Sequence, residues 1–190
     1  MKSEKGFIVK LGLILFLISA ICVFALALCN SLTKDKIAAI NQKKEDDAKK
    51  SVLSSAETFK QADYKNDGGT VIFIGEKGGE KVGYCARVTS KGFGGDIDMM
   101  VGLDSDFAIS GVTIINMSET PGLGSRASDE KFIKQYDNLK GLDGEIDVIK
   151  SGTPEGNEIV AISGATVTSK AVTRGVNAAV SAVKEMEGIQ

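Results

Sequence analysis

Histidine is absent from the 190-residue chain, and cysteine occurs only three times. Without histidine the chain lacks the usual general base of serine and cysteine triads and the commonest metal ligand. Cys22, Cys29 and Cys85 are scattered, so there is no CxxC pair and no zinc or iron–sulfur spacing. Neither an intradomain disulfide nor a metal site is expected, and any redox chemistry must come from an added cofactor.

A strong charge of one sign is also missing, since the formal net charge is −2 with acidic and basic residues intermixed. A nucleic-acid binder needs a basic surface to neutralise phosphates, so nucleic acid is not expected as a partner. The length allows one membrane segment plus one domain of ordinary size.

The N-terminal part contains an uncharged apolar run from Leu11 to Cys29, which is 19 residues long. A helix needs about 20 such residues to cross the hydrocarbon core of a bilayer, so the run predicts a transmembrane helix. Lysines flank it on the N-terminal side, at Lys2, Lys5 and Lys10. The positive-inside rule then predicts a cytoplasmic N-terminus and an extracytoplasmic position for the rest of the chain.

A cleaved signal peptide is the competing interpretation of this segment, because Ala25-Leu26-Ala27 has the small residues of a cleavage site. Retention is favoured because the apolar run continues past that site. We therefore expect three parts: an anchor at 1–30, a helical stalk or linker at 31–62, and one folded domain at 63–190. The simpler reading of the middle part is a solvated linker.

The predicted domain is α+β, with a mainly antiparallel sheet and a C-terminal helix. Its strands are predicted at Thr70–Ile74, Gly83–Thr89, Met99–Leu103, Ile109–Asn116, Glu145–Lys150 and Ile159–Ile162. Ser128 is expected to cap a short helix that buries Phe132, Ile133 and Tyr136. A last helix is predicted from Ser169 onward, with Gly188 as its C-cap.

The strand before the last helix runs straight into Ser163-Gly164-Ala165-Thr166. Small residues let a phosphate approach the backbone, and unpaired N–H groups at a helix start favour an anion. Hydroxyls and one lysine surround the turn, at Ser163, Thr166, Thr168, Ser169 and Lys170. Spacing alone predicts a phosphate site, and it leaves open the simpler reading in which Thr168 or Ser169 only caps the helix.

The segment Ser163–Val172 (SGATVTSKAV) resembles the flavinylation motif of the FMN-binding domain family. The chain as a whole resembles the G subunits of Rnf electron-transport complexes. The similarity extends to Gly83-Tyr84, to the turn Lys91–Ile97 (KGFGGDI) and to Glu119–Gly124 (ETPGLG).

This resemblance implies that Thr166 carries FMN through a covalent phosphoester bond made by a flavin transferase that uses FAD. It also implies that the ETPGLG segment lies near the flavin, with the contacting residues Glu119, Thr120, Gly122, Leu123 and Gly124. It further implies an electron-carrier subunit, without a catalytic site of its own, in a complex that passes electrons between ferredoxin and NAD and exports ions. The partners would be the other membrane subunits of that complex, and the domain at 63–190 would be the extracytoplasmic FMN-binding domain.

One position departs from the family's motif, which usually has an acidic residue three positions before the Ser/Thr of the run. This chain has Val160 there, so the acidic group is either missing or supplied by Glu158. Two alternatives to the Rnf assignment are the C subunit of the sodium-translocating NADH:quinone oxidoreductase, which is typically longer, and a non-redox extracytoplasmic sensor or assembly module.

Overall fold

The computed structural model describes residues 2–64, 68–141 and 144–189. The chain divides into two compact units, Met1–Lys43 and Lys44–Gln190. The first unit consists of most of one long helix, α1 (Lys2–Val52).

Helix α1 contains an 18-residue window with a mean hydropathy of 2.9, and that window is not buried by the rest of the protein. By length and composition it can cross a membrane. The large apolar side chains of this segment are exposed, among them Leu13, Phe16 and Phe24.

The second unit is built on a five-stranded antiparallel sheet in which every strand pairs with its neighbour in sequence. Its strands are β1 (Thr58–Gln61), β2 (Val71–Lys77), β3 (Glu80–Lys91), β4 (Asp96–Asp104) and β5 (Ile109–Met117). Strands β2 to β5 correspond to the first four predicted strands; β3 and β4 are longer than predicted at both ends, and β2 and β5 at the C-terminal end. The edge strand β1 falls in the segment interpreted as stalk.

After the sheet the chain forms a 3-10 helix (Gly124–Ser128), the short helix α2 (Glu130–Ile133) and a second 3-10 turn (Lys134–Tyr136). Two short parallel strands follow, β6 (Asp147–Ile149) and β7 (Glu158–Val160), and then helix α3 (Thr166–Glu187). Gly188 ends α3 in the left-handed conformation, with a φ of 70°, as predicted. The α+β fold class is confirmed.

Helix α3 packs on one face of the five-stranded sheet and completes the main core. Alternate residues of β3 and β4 point into this core because successive side chains of a strand face opposite sides. Its buried members from the two strands are Tyr84, Ala86, Val88, Ile97, Met99, Val101 and Leu103. The helix contributes Val172, Val176, Ala179, Val180 and Val183, which recur at helical spacing.

The opposite face of the sheet is covered by the last turns of α1, which belong to the second unit from Lys44 onward. Ala48, Val52 and Leu53 pack there against Phe73, Cys85 and Met100. The Lys49 ammonium is buried, pairs with Asp46 at 2.7 Å and lies 4.4 Å from the centre of the Phe73 ring. This part of the predicted stalk is therefore a layer of the domain.

The expectations for the helix N-caps need correction. Asp129, not Ser128, precedes α2, and the Ser128 hydroxyl donates to the carbonyl of Ser125. Helix α3 begins three residues earlier than predicted, so Thr168 and Ser169 lie inside its first turn and do not cap it. The sequence signal was ambiguous because Ser and Thr form caps and also bond backbone carbonyls within helices.

Candidate functional site

Thr166 is the first residue of α3 and is half-buried. The first hydrogen bond from the turn into this helix is donated by the Ser169 N–H to the carbonyl of Ala165, at 3.0 Å. The N–H groups of Thr166, Val167 and Thr168 precede that bond and have no carbonyl to meet within the helix. No acidic residue stands in the first turn of α3. The Thr166 hydroxyl therefore lies at the positive end of the helix dipole.

Gly164 makes the sharp turn that joins β7 to α3. Its φ is +80°, a conformation that residues with a side chain rarely adopt. A Cβ at this position would lie 3.3 Å from the Leu123 side chain. The Ala165 N–H closes the turn by donating to the carbonyl of Ile162 at 2.9 Å. The Ser-Gly-Ala-Thr run is thus a tight, internally bonded turn packed beside the loop of residues 119–124.

Ser169 fastens this turn to the helix from inside. Its hydroxyl is fully buried, accepts the N–H of Ile162 at 2.9 Å and donates to the carbonyl of Ala165 at 3.0 Å. Because this hydroxyl both accepts and donates a hydrogen bond within the turn, we assign Ser169 a structural role that supports the site.

The loop Glu119–Gly124 carries a turn in which the Leu123 N–H donates to the carbonyl of Thr120 at 3.2 Å. Pro121 and Gly122, with a φ of +76°, occupy its two central positions, which is the type II pattern. Gly124 is buried, and a Cβ there would lie 2.4 Å from a Glu119 carboxylate oxygen and 2.8 Å from the Thr168 hydroxyl. The glycine lets this loop lie directly against the start of α3.

A cleft of about 420 Å³ opens beside Thr166, within the size range of small-molecule sites. Eight of the predicted site residues line it: Glu119, Thr120, Leu123, Gly124, Gly164, Ala165, Thr166 and Thr168. The remaining lining residues, Phe93 and Val167, were not predicted as site residues. Phe93 belongs to the KGFGGDI segment, so the resemblance contained the signal that identifies it.

Four predicted site residues lie elsewhere. Ser163 is exposed and lines a different pocket, whereas Ser169 is buried as described above. Lys170 is exposed and does not line the cleft beside Thr166. Gly122 is exposed, and its N–H donates to the Ser125 hydroxyl at 2.9 Å, so it shapes the loop without lining the cleft.

The second pocket, of about 500 Å³, lies on the Ser163 side of the run. Val160 lines it, and the backbone N–H and carbonyl of Val160 both bond the side-chain amide of Gln135. The acidic side chain lining this pocket is Asp129. Glu158 does not line it, and its carboxylate accepts the N–H of Glu155.

The buried thiol of Cys85 and the buried phenol of Tyr136 do not line the cleft beside Thr166. Burial raises the pKa of the Cys85 thiol to about 12, so this thiol is not a nucleophile at neutral pH. Burial also raises the pKa of Tyr136, whose hydroxyl bonds that of Thr173 at 2.8 Å. No group of acidic or cysteine side chains suited to a metal ion occurs among the residues that the structure describes.

Comparison with known proteins identifies the family. Residues 92–181 match the family model described as the FMN-binding domain, and residues 1–52 match that of the RnfG N-terminal region. The chain is 39% identical over 183 residues to the G subunit of the Na(+)-translocating ferredoxin:NAD(+) oxidoreductase complex of Acetobacterium woodii, covering 88% of this chain and 87% of that protein. It belongs to the G-subunit family of Rnf complexes.

Other members of this family are similar over comparable lengths. The G subunit of the ion-translocating oxidoreductase complex of Methanosarcina acetivorans is 30% identical over 193 residues, covering 98% of this chain and all of that protein. The G subunit of the proton-translocating ferredoxin:NAD(+) oxidoreductase complex of Clostridium ljungdahlii is 33% identical over 144 residues, covering 76% and 74%.

Two solved structures share the fold of the G-subunit domain. One is the C subunit of the Na(+)-translocating NADH-quinone reductase of Parabacteroides distasonis, with a TM-score of 0.54, 26% identity and 64% of each chain covered. The other is NqrC of Shewanella oneidensis, with a TM-score of 0.51, 25% identity and coverage of 64% of this chain and 62% of that one. The chain thus spans somewhat less than two thirds of these two proteins.

Proposed function

We propose that the protein is a membrane-anchored electron carrier that holds FMN through a phosphoester bond to Thr166 and works within an ion-translocating ferredoxin:NAD oxidoreductase complex of the Rnf type. The observation that carries the proposal is the position of Thr166. It stands at the positive end of α3 and opens into a cleft formed by the Ser163–Thr166 turn, the Glu119–Gly124 loop and Phe93.

The residues present fit the phosphate of FMN. The N–H groups of Thr166, Val167 and Thr168 precede the helical hydrogen-bond ladder, and such groups bind phosphate oxygens at helix starts. Gly164 lines the same cleft and carries no side chain, so a phosphate can approach its backbone closely. Thr166 is half-buried, so its hydroxyl can be reached by a modifying enzyme.

They also fit a flat apolar ring. The cleft is walled by Phe93, Leu123 and Val167, whose side chains stand next to Thr166. FMN, when bound, supplies the electron chemistry, while the protein supplies attachment, orientation and shielding from water. Covalent attachment keeps the cofactor in place outside the cytoplasm, where mass action would otherwise dilute it away.

The attachment reaction is a transfer from FAD by a flavin transferase. The Thr166 oxygen forms a bond to the phosphorus of the FMN half, the phosphoanhydride bond of FAD breaks, AMP leaves and the hydroxyl proton is released. Val160 stands where related motifs have an acidic residue. If that acid assists recognition, the variant Val160→Asp will raise the modified fraction.

The intact mass of the full chain, coexpressed with a flavin transferase, tests the covalent site. The wild-type chain will gain the mass of FMN less one water, and Thr166→Ala will not. The matched control is Thr153→Ala, which alters the similar but exposed Ser151-Gly152-Thr153 sequence and will keep the added mass. Retention of the increment in Thr166→Ala would show that attachment occurs elsewhere.

Helix α1 is proposed to be a retained single-pass anchor with the domain on the extracytoplasmic side. Its apolar window has no charge and its basic flank is N-terminal. Tethering raises the effective concentration of the carrier for the other membrane subunits of the complex. Fusions at the C-terminus test the topology: alkaline phosphatase will be active there and a cytoplasmic fluorescent reporter will not.

The fold likeness to the C subunit of the NADH:quinone reductase keeps that redox function as an alternative, although the G-subunit relatives are matched over more of their length. A non-redox sensor or assembly module is the other alternative. Ultraviolet fluorescence of the protein band in a denaturing gel separates the two redox hypotheses from the non-redox one, because only a covalently bound flavin stays with the band and fluoresces there.

A further inference from the structure

We propose that Glu119 is a positioning residue that locks the β3–β4 turn to the start of α3 and thereby holds Phe93 as a fixed wall for the flavin ring. The flavin part of this inference rests on the function proposed above. The lock itself is a property of the chain.

Both oxygens of the Glu119 carboxylate are engaged within the protein. One accepts the N–H of Phe93 at 2.7 Å and that of Gly94 at 3.2 Å. The other accepts the Thr168 hydroxyl at 3.0 Å. Hydrogen bonds to an ionised acceptor are stronger than neutral ones, so one side chain joins two segments that are far apart in sequence.

Glycines make the room for this carboxylate on both sides. A Cβ at Gly92 would lie 2.1 Å from one carboxylate oxygen, and a Cβ at Gly124 would lie 2.4 Å from the other. A Cβ at Gly94 would lie 2.2 Å from the carbonyl oxygen of Ser118, the residue before Glu119. Two glycine-containing loops thus enclose a single acidic side chain.

The β3–β4 turn is also fastened at its base. The Gly92 N–H donates to the carbonyl of Gly95 at 2.8 Å, and the Arg174 guanidinium donates to the carbonyl of Lys91 at 2.8 Å. Arg174 lies on α3, so the helix holds the turn at a second point. The tip of an exposed turn is therefore held by several hydrogen bonds.

This tip presents an aromatic side chain to solvent. Phe93 is 74% exposed. Among the described residues of the second unit, from Lys44 onward, the only other large exposed apolar side chains are Val167 at 52% and Leu123 at 46%. All three line the cleft beside Thr166. Exposed apolar side chains gathered at one cleft indicate a binding surface. A flat apolar ring attached at Thr166 is the occupant that this position indicates.

The engagement of both oxygens distinguishes positioning from an electrostatic role. If the negative charge of Glu119 acted on the flavin directly, Glu119→Gln and Glu119→Ala would alter the flavin potential to a similar extent. If Glu119 acts by geometry, the amide of Glu119→Gln preserves the lock, because its oxygen accepts the two backbone N–H groups and its NH₂ donates to the Thr168 hydroxyl. Only Glu119→Ala then releases the turn.

The first test uses the full chain with Thr166→Ala, which carries no attached flavin, and measures amide hydrogen exchange at Phe93 and Gly94. Glu119→Ala will speed exchange there by about tenfold or more, because charge-assisted hydrogen bonds are lost. Glu119→Gln keeps the same partners with a neutral acceptor, so it will speed exchange clearly less than Glu119→Ala does. The control Glu80→Ala, at the exposed start of β3, will stay within about threefold of the parent. Equal acceleration in the Gln and Ala variants would overturn the proposal.

A second variant protects the test against misfolding of Glu119→Ala. Thr168→Val removes only the hydroxyl that ties Glu119 to α3, and it will raise the same exchange rates. Unchanged rates in Thr168→Val would show that the turn is held without α3 and would contradict the lock.

The flavin part is read separately, from the fluorescence anisotropy and midpoint potential of the modified protein. Glu119→Ala and Phe93→Ala will each lower the anisotropy and shift the potential, whereas Glu119→Gln will leave both near the wild-type values. Phe93→Ala will leave the exchange rate of Gly94 unchanged. If the exchange result holds and no flavin attaches to the wild-type chain, the lock stands and the proposed function fails.

Discussion

The substitution Gly102→Ala tests how the end of α1 is seated on the sheet. Gly102 lies in β4 opposite Gly111 of β5. A Cβ at residue 102 would lie 2.3 Å from the carbonyl oxygen of Val52 and 2.5 Å from the Ser110 hydroxyl oxygen. That hydroxyl donates to the same Val52 carbonyl at 2.6 Å. Because one obstructing atom is backbone, the end of α1 has to move away from the sheet.

The size of the effect follows from two losses. Overpacking a tight site costs about 1–3 kcal/mol, and a lost neutral hydrogen bond costs about 0.5–1.5 kcal/mol. Together they lower the free energy of unfolding by about 1.5–4.5 kcal/mol, which lowers Tm by roughly 3–18 °C for a domain of this size. Ser110→Ala removes the hydrogen bond alone and should cost about 0.5–1.5 kcal/mol.

Gly111→Ala is the matched comparison, because its Cβ would meet Val52 atoms no closer than 3.2 Å. A displacement of a few tenths of an ångström relieves that contact, so we expect a cost of less than about 1 kcal/mol. Thermal unfolding of the full chain in detergent, followed by the near-ultraviolet circular dichroism of its tyrosines, measures the order. Equal losses of Tm for Gly102→Ala and Gly111→Ala would contradict a steric clash specific to residue 102.

Three further predictions concern the site, the pH response and the N-terminus. Ser169→Ala leaves the buried N–H of Ile162 without its acceptor and should lower the free energy of unfolding, measured by chemical denaturation, by about 1–3 kcal/mol. Ser163→Ala, at an exposed position, should change it by less than about 0.5 kcal/mol. Similar costs for the two variants would contradict the supporting role of Ser169. Hydrogen bonding from Tyr84 lowers the pKa of Glu187 below its usual 4.5, so its contribution to stability is present above pH 4.5 and is lost as pH falls through the lowered pKa. Glu187→Gln should flatten the acid limb of a Tm-versus-pH curve, and an unchanged limb would contradict this. Mass analysis of the mature N-terminus should find the segment before residue 28 retained, and a chain beginning at residue 28 would establish signal-peptide cleavage.

The strands of the central sheet could be predicted because their residues alternate between two buried faces. Strand β1 could not, since Thr58–Gln61 is a short, mostly exposed edge strand that lacks such alternation. The burial of Ala48 and Val52 was also hidden, because they recur among charged residues as they would in a solvated helix. In the structure Gly102 and Gly111 make room for Val52 of that helix.

The candidate site was predicted from resemblance more than from pattern. Helix physics indicated a phosphate site at Thr166, but not which hydroxyls face it. Ser169 bonds the turn and Thr168 bonds Glu119, a contact between residues 49 positions apart that no local pattern reveals. The part played by Phe93 likewise depends on how the β3–β4 turn folds against α3.

Peptide mapping of the flavin-modified chain is the most direct test of FMN attachment at Thr166. The full chain, coexpressed with a flavin transferase, is digested, and the fluorescent peptide is sequenced by tandem mass spectrometry. We expect a single modified peptide containing Ser163–Thr166, with the FMN phosphate on Thr166. A modified peptide from another part of the chain, or no modified peptide although the same transferase modifies a known substrate, would contradict it.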